Sequence, residues 1–309
     1  MKMVMMGSGG VGGYYGARLA QAGHEVVFVA RGAHAEAIRR GGLRVKSELG
    51  DALIQPARVV EDPEQAGVAD LIVVGVKLWD SESAAAALRP IVGAQTTVLS
   101  LQNGVDKDDV LANAVGSGHV IGGVTHIGAV IAEPGVIAHT GKLQKVTIGE
   151  LPGGSSPRID AIAAALREAR VEVVVSDDIR RVTWEKFVFL TALSGLTALT
   201  REPLGAVREH PATRALLLEA LRETAAVATA VGVRLDPALP EQQLKMMDGL
   251  APGMLSSMAH DLLRARRLEL EWLSGAVVRR GEARGVATPV HRAIYAALVL
   301  HAGGPASMQ

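Results

Sequence analysis

Apolar positions in the first half of the chain come in short, nearly unbroken runs, with helical patterns between them. Lys2–Met6 reads as a strand, residues 11–22 as a helix and residues 25–30 as a second strand. Residues 69–76 form a further apolar run that stops at Lys77, and residues 96–101 another that stops at Gln102-Asn103-Gly104. A strand that is apolar at every position is buried on both faces. Such strands alternating with helices predict a parallel sheet covered on both sides. Two more strands are expected around residues 119–124 and 135–149, the second adding antiparallel pairing at the sheet edge.

Residues 151–157 are a loop by composition, followed by a helix over 158–170 and a short strand over 171–175. After Ser176 the character changes. Residues 179–300 are helical nearly throughout, interrupted by Pro203, Pro211, Pro237, Pro252 and Pro289, and residues 301–309 read as a frayed tail. The expected organisation is a doubly wound α/β domain over residues 1–176 and an all-helical domain over 177–309. The length of 309 residues suits two such domains.

Composition removes several function classes. Lys plus Arg number 32 and Asp plus Glu number 32, so no net field draws the chain to nucleic acid or an anionic membrane. Cysteine is absent, which excludes disulfides, thiol nucleophiles and Cys-based zinc or iron–sulfur sites, and fits a cytoplasmic protein. The apolar run after Lys2 stops at Gly7, too short for a signal peptide, and no stretch is long enough to span a membrane. The histidines are scattered with no metal-binding spacing, so no metal is expected.

Candidate chemistry begins at Gly7-Ser8-Gly9-Gly10-Val11-Gly12, a G-x-G-x-x-G pattern between a predicted strand and a predicted helix. Gly7 permits the tight turn, Gly9 lets the backbone approach a pyrophosphate, and Gly12 lets the helix pack on the sheet. The helix start offers free N–H groups to the phosphates. A glycine-rich turn that binds nothing has the same letters; the strand before and the helix after favour the dinucleotide. The second strand ends in Arg31 without a carboxylate for the ribose hydroxyls. Arg31 suits a 2′-phosphate, hence NADP(H) over NAD(H), against the plainer alternative of a solvated loop arginine.

Lys77 and Asn103 stand at predicted carboxyl ends of strands, where ligands of open α/β sheets sit. Each has an ordinary alternative, as a strand terminus or a turn residue. In the helical half, Lys186 lies among Phe187, Phe189 and Leu190. A lysine in such surroundings can give up a proton to a reacting group, although a snorkelling lysine on an amphipathic helix is the commoner arrangement. The segment from Ser256 to Glu271 reads on its own as a charged helix face.

These pieces occur in one order, and together they resemble the ketopantoate reductase (2-dehydropantoate 2-reductase) family from Met1 to about Leu298. The marks are Gly7–Gly12 extended through Gly16, Val76-Lys77-Leu78-Trp79, Leu101-Gln102-Asn103-Gly104-Val105, Trp184-Glu185-Lys186, Ser256-Ser257-Met258 with Asp261, and Glu269. The resemblance implies NADPH-dependent reduction of a small 2-oxo acid. Ketopantoate, converted to pantoate in pantothenate and coenzyme A synthesis, is the leading substrate. It implies a Rossmann domain followed by a helical domain like that of 6-phosphogluconate dehydrogenase, with the active site in the cleft. It implies Lys186 as general acid and Glu269 as the carboxylate orienting substrate and lysine, with Glu271 the less favoured choice. Asn103 would help place cofactor and substrate, Lys77 would stand at their junction, Ser257 would meet the substrate carboxylate, and Arg31 would read the 2′-phosphate.

One departure bears on substrate. The family carries two asparagines one and two turns after the lysine; here those places hold Leu190 and Ser194. Leu190 offers no hydrogen bond and Ser194 a shorter reach, so a different, more apolar 2-oxo acid is the second reading. A non-catalytic NADP(H)-binding sensor is the third; retention of Lys186, Asn103 and Glu269 argues against it. A sugar-phosphate or hydroxyisobutyrate-type dehydrogenase fits the Ser256–Met258 and Leu101–Val105 segments less well. The apolar surface of the helical half suits a homodimer.

Overall fold

The computed structural model describes residues 1–304. The described chain falls into two compact units that divide after Val182. The first is built on ten strands: β1 (Lys2–Met6), β2 (Glu25–Val29), β3 (Leu43–Ser47), β4 (Ala52–Ile54), β5 (Arg58–Val60), β6 (Leu71–Val74), β7 (Thr97–Ser100), β8 (Val120–Glu133), β9 (Val136–Gly149) and β10 (Glu172–Val175). Their order is β4-β3-β9-β8-β7-β6-β1-β2-β5, with β10 also pairing β9. From β8 across to β5 the pairing is parallel, whereas β8 runs antiparallel to β9 and β3 antiparallel to β4.

Period-two alternation divides the apolar runs between two cores. Met3, Met5, Phe28, Leu71, Val73 and Leu99 point into one; Val4, Met6, Val27, Val29, Ile72, Val74 and Val98 point into the other. Helices α1 (Gly10–Gln21) and α5 (Pro157–Glu168) contribute Tyr14, Leu19, Ile159 and Ile162 to the first core. Helices α3 (Ser81–Leu88) and α4 (Lys107–Val115) contribute Ala84, Ala85, Leu88 and Leu111 to the second. Neither face of the central strands meets water, which is why their sequence carries no polar alternation.

Two features differ from the sequence reading. The segment expected at the sheet edge, β9, lies inside the sheet, between β8 and a flank formed by β3 and β10. Residues 43–60 supply three strands that the hydrophobic pattern does not announce, because β4 and β5 have three residues each and β3 alternates Leu43 and Val45 with exposed Arg44 and Lys46. The two units divide within the first turn of α6 (Ile179–Thr200). Ile179 belongs with the sheet: a Cβ at Gly122 would stand 2.6 Å from it, and one at Gly149 3.0 Å from it.

The second unit is helical: the rest of α6, then α7 (Leu204–Glu209), α8 (Pro211–Ala230), α9 (Leu239–Asp248), α10 (Ser257–Leu263), α11 (Ser274–Arg284) and α12 (Pro289–Leu298). Pro211 and Pro289 open their helices, where a missing N–H costs nothing. Of the expected tail, Ala302 accepts a backbone bond from Leu268 at 2.9 Å, and the part beyond Gly304 lies outside the described residues. No described helix is long and apolar enough to cross a membrane.

A polar cluster joins α6, α8, α11 and α12. Glu223 of α8 caps α12 by accepting from the N–H groups of Val290 (2.7 Å) and His291 (3.0 Å). His291 is fully buried. Its Nε2 faces the Ala220 carbonyl (3.0 Å), which can only accept, so Nε2 carries the proton and Nδ1 accepts from Ser274 (3.3 Å). Thr224 links this ring (2.8 Å) to Thr191 of α6 (3.0 Å). Burial holds the His291 imidazole down at about 4, whereas an unfolded histidine takes its proton near 6.5. The unfolded state therefore binds more protons in that window, and folding weakens as pH falls through it, by up to about 1.4 kcal/mol per pH unit. Denaturant unfolding followed from pH 7 to pH 4 should show this acid limb, and His291→Gln should flatten it; Glu223 is common to both proteins and cancels in the difference.

Candidate active site

Strand β1 has β2 on one side, reached through α1, and β6 on the other. The direction of strand addition therefore reverses there, which opens a crevice at the carboxyl ends of β1 and β6. Gly7 takes φ +94°, and a Cβ on it would lie 2.7 Å from the Val76 nitrogen. A Cβ on Gly12 would lie 2.1 Å from the Gly7 carbonyl, and one on Gly75 3.3 Å from the Gly12 nitrogen. The tip of β1, the first turn of α1 and the tip of β6 thus meet backbone to backbone. Gly10 is pressed from another side, its missing Cβ 2.0 Å from the Ala129 carbonyl of β8.

Gly9 differs from its neighbours. It is the N-cap of α1 at φ −72°, a conformation open to any residue, and a Cβ there would meet nothing within 4 Å. The first turn of α1 contains no acidic residue, and its leading N–H groups have no partner within the helix. Such a start, bare of side chains on the Gly9 side, fits a pyrophosphate. Ser8 turns inward: its N–H and its hydroxyl both donate to the Val29 carbonyl, at 3.0 and 3.1 Å. Val11 packs partly buried on the first core. Arg31 is the exposed N-cap of α2 (Gly32–Gly41), just past the tip of β2 to which Ser8 is tied.

The tips of β6 and β7 are joined by a residue outside the expected set. Gln102, buried, donates from Nε2 to the Val76 carbonyl (3.0 Å) and to Ser81 (2.7 Å), and accepts from Ser100 (3.1 Å). All its amide groups are used. The peptide that precedes Lys77 is thereby fixed beside the one that precedes Asn103. Lys77 is exposed, with Nζ 5.6 Å from the Trp79 ring centre, and Asn103 is half-buried before Gly104 at φ +84°. The signal for Gln102 is a polar residue ending an apolar run, masked by the turn-forming Asn103-Gly104 pair behind it.

The remaining candidates belong to the helical unit. Lys186, half-buried, follows a peptide whose carbonyl accepts from Gln243 of α9 at 2.7 Å. Residues 186, 190, 194 and 197 recur on one face of α6. Along it, Ser194 is fully buried and its hydroxyl meets no hydrogen-bond partner. Thr197 donates to the Leu193 carbonyl (2.7 Å) and shares a bond with the Ser256 hydroxyl (2.9 Å), which also accepts from Ala259 and caps α10. That chain of bonds ties the face to exposed Ser257, the first residue of α10. Glu269, 7% exposed, stands at the start of a short turn where its carbonyl accepts from Trp272 and Leu273, both at 3.1 Å. Glu271 is committed elsewhere, paired with Arg279 and accepting from the Tyr295 hydroxyl at 2.7 Å. Within the first unit the structure thus brings the glycine loop to the tip of β2 beside Arg31, and Lys77 near Asn103; within the second, Lys186 and Ser194 share a face of α6 whose far end is tied through Thr197 and Ser256 to Ser257. Among the described residues no cluster suits a metal.

Residues 3–153 match the family model described as ketopantoate reductase PanE/ApbA, and residues 178–301 match its C-terminal model. A Halobacterium salinarum protein named 2-dehydropantoate 2-reductase is 36% identical over 95% of this chain and 96% of its own. A Bacillus subtilis protein named uncharacterized oxidoreductase YkpB is 29% identical over 97% and 99%. The crystal structure of a PanE/ApbA family ketopantoate reductase from Ralstonia eutropha superposes with a TM-score of 0.90 at 34% identity, over 98% of each chain.

The two kinds of glycine in the loop should separate on substitution. Gly12→Ala drives a methyl into the Gly7 carbonyl and should lower the melting temperature sharply. Gly9→Ala should change stability by no more than about 0.5 kcal/mol yet weaken binding of a nicotinamide dinucleotide. Calorimetry with and without NADH and NADPH reads both; undiminished dinucleotide affinity in Gly9→Ala would remove the loop from the cofactor site.

Proposed function

The chain belongs to the ketopantoate reductase PanE/ApbA family, and on that premise we propose that it reduces the carbonyl of a 2-oxo acid with NADPH, with 2-dehydropantoate (ketopantoate) as leading substrate and pantoate as product. The observation that carries the cofactor choice is exposed Arg31, two residues past Val29, whose carbonyl Ser8 ties to a glycine loop that is open on its Gly9 side. A guanidinium there suits a 2′-phosphate, and no carboxylate stands between Val29 and His34 to claim the ribose hydroxyls.

When bound, the nicotinamide supplies a hydride. The protein's part is positioning and proton supply. Backbone N–H groups of the Gly7–Gly12 loop, that of Gly9 foremost and that of Ser8 excepted because Val29 takes it, hold the pyrophosphate, and Lys77 and Asn103, fixed through Gln102, line the junction of cofactor and substrate. Lys186 holds a proton at Nζ for the carbonyl oxygen as negative charge grows there. Glu269 is the carboxylate that orients lysine and substrate; its burial, against the outward commitment of Glu271, supports that choice. Ser257 meets the substrate carboxylate. In this reading residues 1–176 bind the cofactor, 177–309 bind the substrate, and a second copy pairs through the helical domain. A different 2-oxo acid is the second reading. It is favoured by Leu190 and by Ser194, whose hydroxyl is enclosed in the helical core.

NADPH oxidation followed with ketopantoate beside a panel of other 2-oxo acids is the direct test. Ketopantoate clearly ahead supports the first reading, another acid ahead the second, and no turnover despite tight NADPH binding removes the catalytic reading. Lys186→Ala should lose most of the turnover, on the order of 10²–10⁴-fold for a general acid, with NADPH binding nearly intact. Arg31→Ala should weaken NADPH far more than NADH; equal losses would overturn the 2′-phosphate assignment.

A further inference from the structure

His34 lies in the first turn of α2, three residues beyond Arg31, and its half-buried ring makes two bonds to distant parts of the first unit. Nδ1 accepts from the Gly135 N–H at 3.0 Å, and Nε2 lies 2.9 Å from the Ser8 carbonyl. The partners fix the tautomer. An N–H faces Nδ1, so that nitrogen is bare; a carbonyl faces Nε2, so that nitrogen carries the proton and donates it. Burial lowers the affinity of the ring for a second proton, in keeping with one bare nitrogen.

Gly135 is itself tightly placed. It holds φ +81° in the Glu133-Pro134-Gly135-Val136 turn joining β8 to β9, its carbonyl accepts from Arg44 (2.9 Å), and a Cβ on it would stand 3.1 Å from Ala37. The hairpin turn is therefore a firm anchor for the ring. At the other end, the Ser8–Gly9 peptide is part of the glycine loop. Its C=O and N–H point in opposite directions, because a trans peptide is planar. Whatever holds the Ser8 carbonyl also decides where the Gly9 N–H points.

We infer that His34 is a positioning residue for the dinucleotide: anchored by the hairpin turn, it holds the Ser8 carbonyl and so aims the Gly9 N–H away from α2 as a phosphate donor. This rests on the proposed use of the loop by NADPH. The contrasting role is a staple that merely pins α2 to the hairpin, for which the Gly135 bond matters and the Ser8 bond does not.

Two conservative variants separate these roles. Glutamine places its amide nitrogen where Nε2 stood, keeping the donor to Ser8. Asparagine places its oxygen where Nδ1 stood, keeping the acceptor for Gly135. Binding of NADPH and NADH to wild type, His34→Gln and His34→Asn is measured by titration calorimetry, with melting temperatures and kcat at saturating cofactor alongside. The expected result is NADPH affinity kept within about threefold in His34→Gln and lost by about tenfold in His34→Asn, the scale of one hydrogen bond. The loss should appear in both cofactors' Kd and not in kcat. Equal affinity in the two variants, a loss confined to His34→Gln, or a loss that follows the melting temperature would overturn the inference. A wild type that binds neither NADPH nor NADH would overturn the reading of the loop and this inference with it.

Discussion

Contact between backbones at one junction is the constraint on which the first unit depends. Strand β1, helix α1 and strand β6 come within reach of one another because Gly7, Gly12 and Gly75 have no side chains to separate them. Every other feature of the crevice follows from that closeness. The helix start lies at the sheet's carboxyl edge, the strand order reverses there, and the tips of β2, β6 and β7 are ranged round one opening. Farther along α1, Gly16 continues the same surface, where a Cβ would stand 2.6 Å from Phe28. Strand packing with apolar side chains alone would leave the helix too far out to present its N–H groups at the edge.

Much of this was legible in the letters. Runs such as Leu71–Val74 are apolar throughout because alternate residues enter different cores, and the glycine spacing marks the one helix that must come close. What was not legible depends on partners far away in sequence. Gln102 looks like the first residue of a turn until Val76 and Ser81 are seen to saturate its amide. His34 looks like a surface histidine until Ser8 and Gly135 close on its two nitrogens. Residues 43–60 hide three strands because β4 and β5 have only three residues each, too few for a period to emerge, and Arg44 and Lys46 break the apolar run of β3. Strand β9 looks like an edge strand in the letters because β3 and β10, which cover its outer side, come from segments not adjacent to it in sequence.

The helical unit is organised by polar groups as well as apolar ones. Thr191, Thr197, Thr224, Ser256, Ser274, Glu223 and His291 are all buried, and each finds a partner. Ser194 alone among the buried hydroxyls of α6 does not. An unsatisfied buried hydroxyl costs about 1–3 kcal/mol, so Ser194 is the one polar position on this face of α6 that packing alone does not account for. The fixed direction of α6, set by Gln243 at one end and Ser256 at the other, gives Lys186 a rigid base.

The press of Gly10 against Ala129 has a consequence for anyone recombining such proteins. Strand β8 begins as a parallel neighbour of β7 and then leaves to form a long hairpin with β9, and that hairpin backs the glycine loop. The dinucleotide motif is therefore not a portable cassette. A chimera that exchanged only the first βαβ segment would import a loop shaped for another wall, and any residue larger than glycine at its fourth position would collide with the host's hairpin. Crossovers placed after β9 would carry loop and wall together.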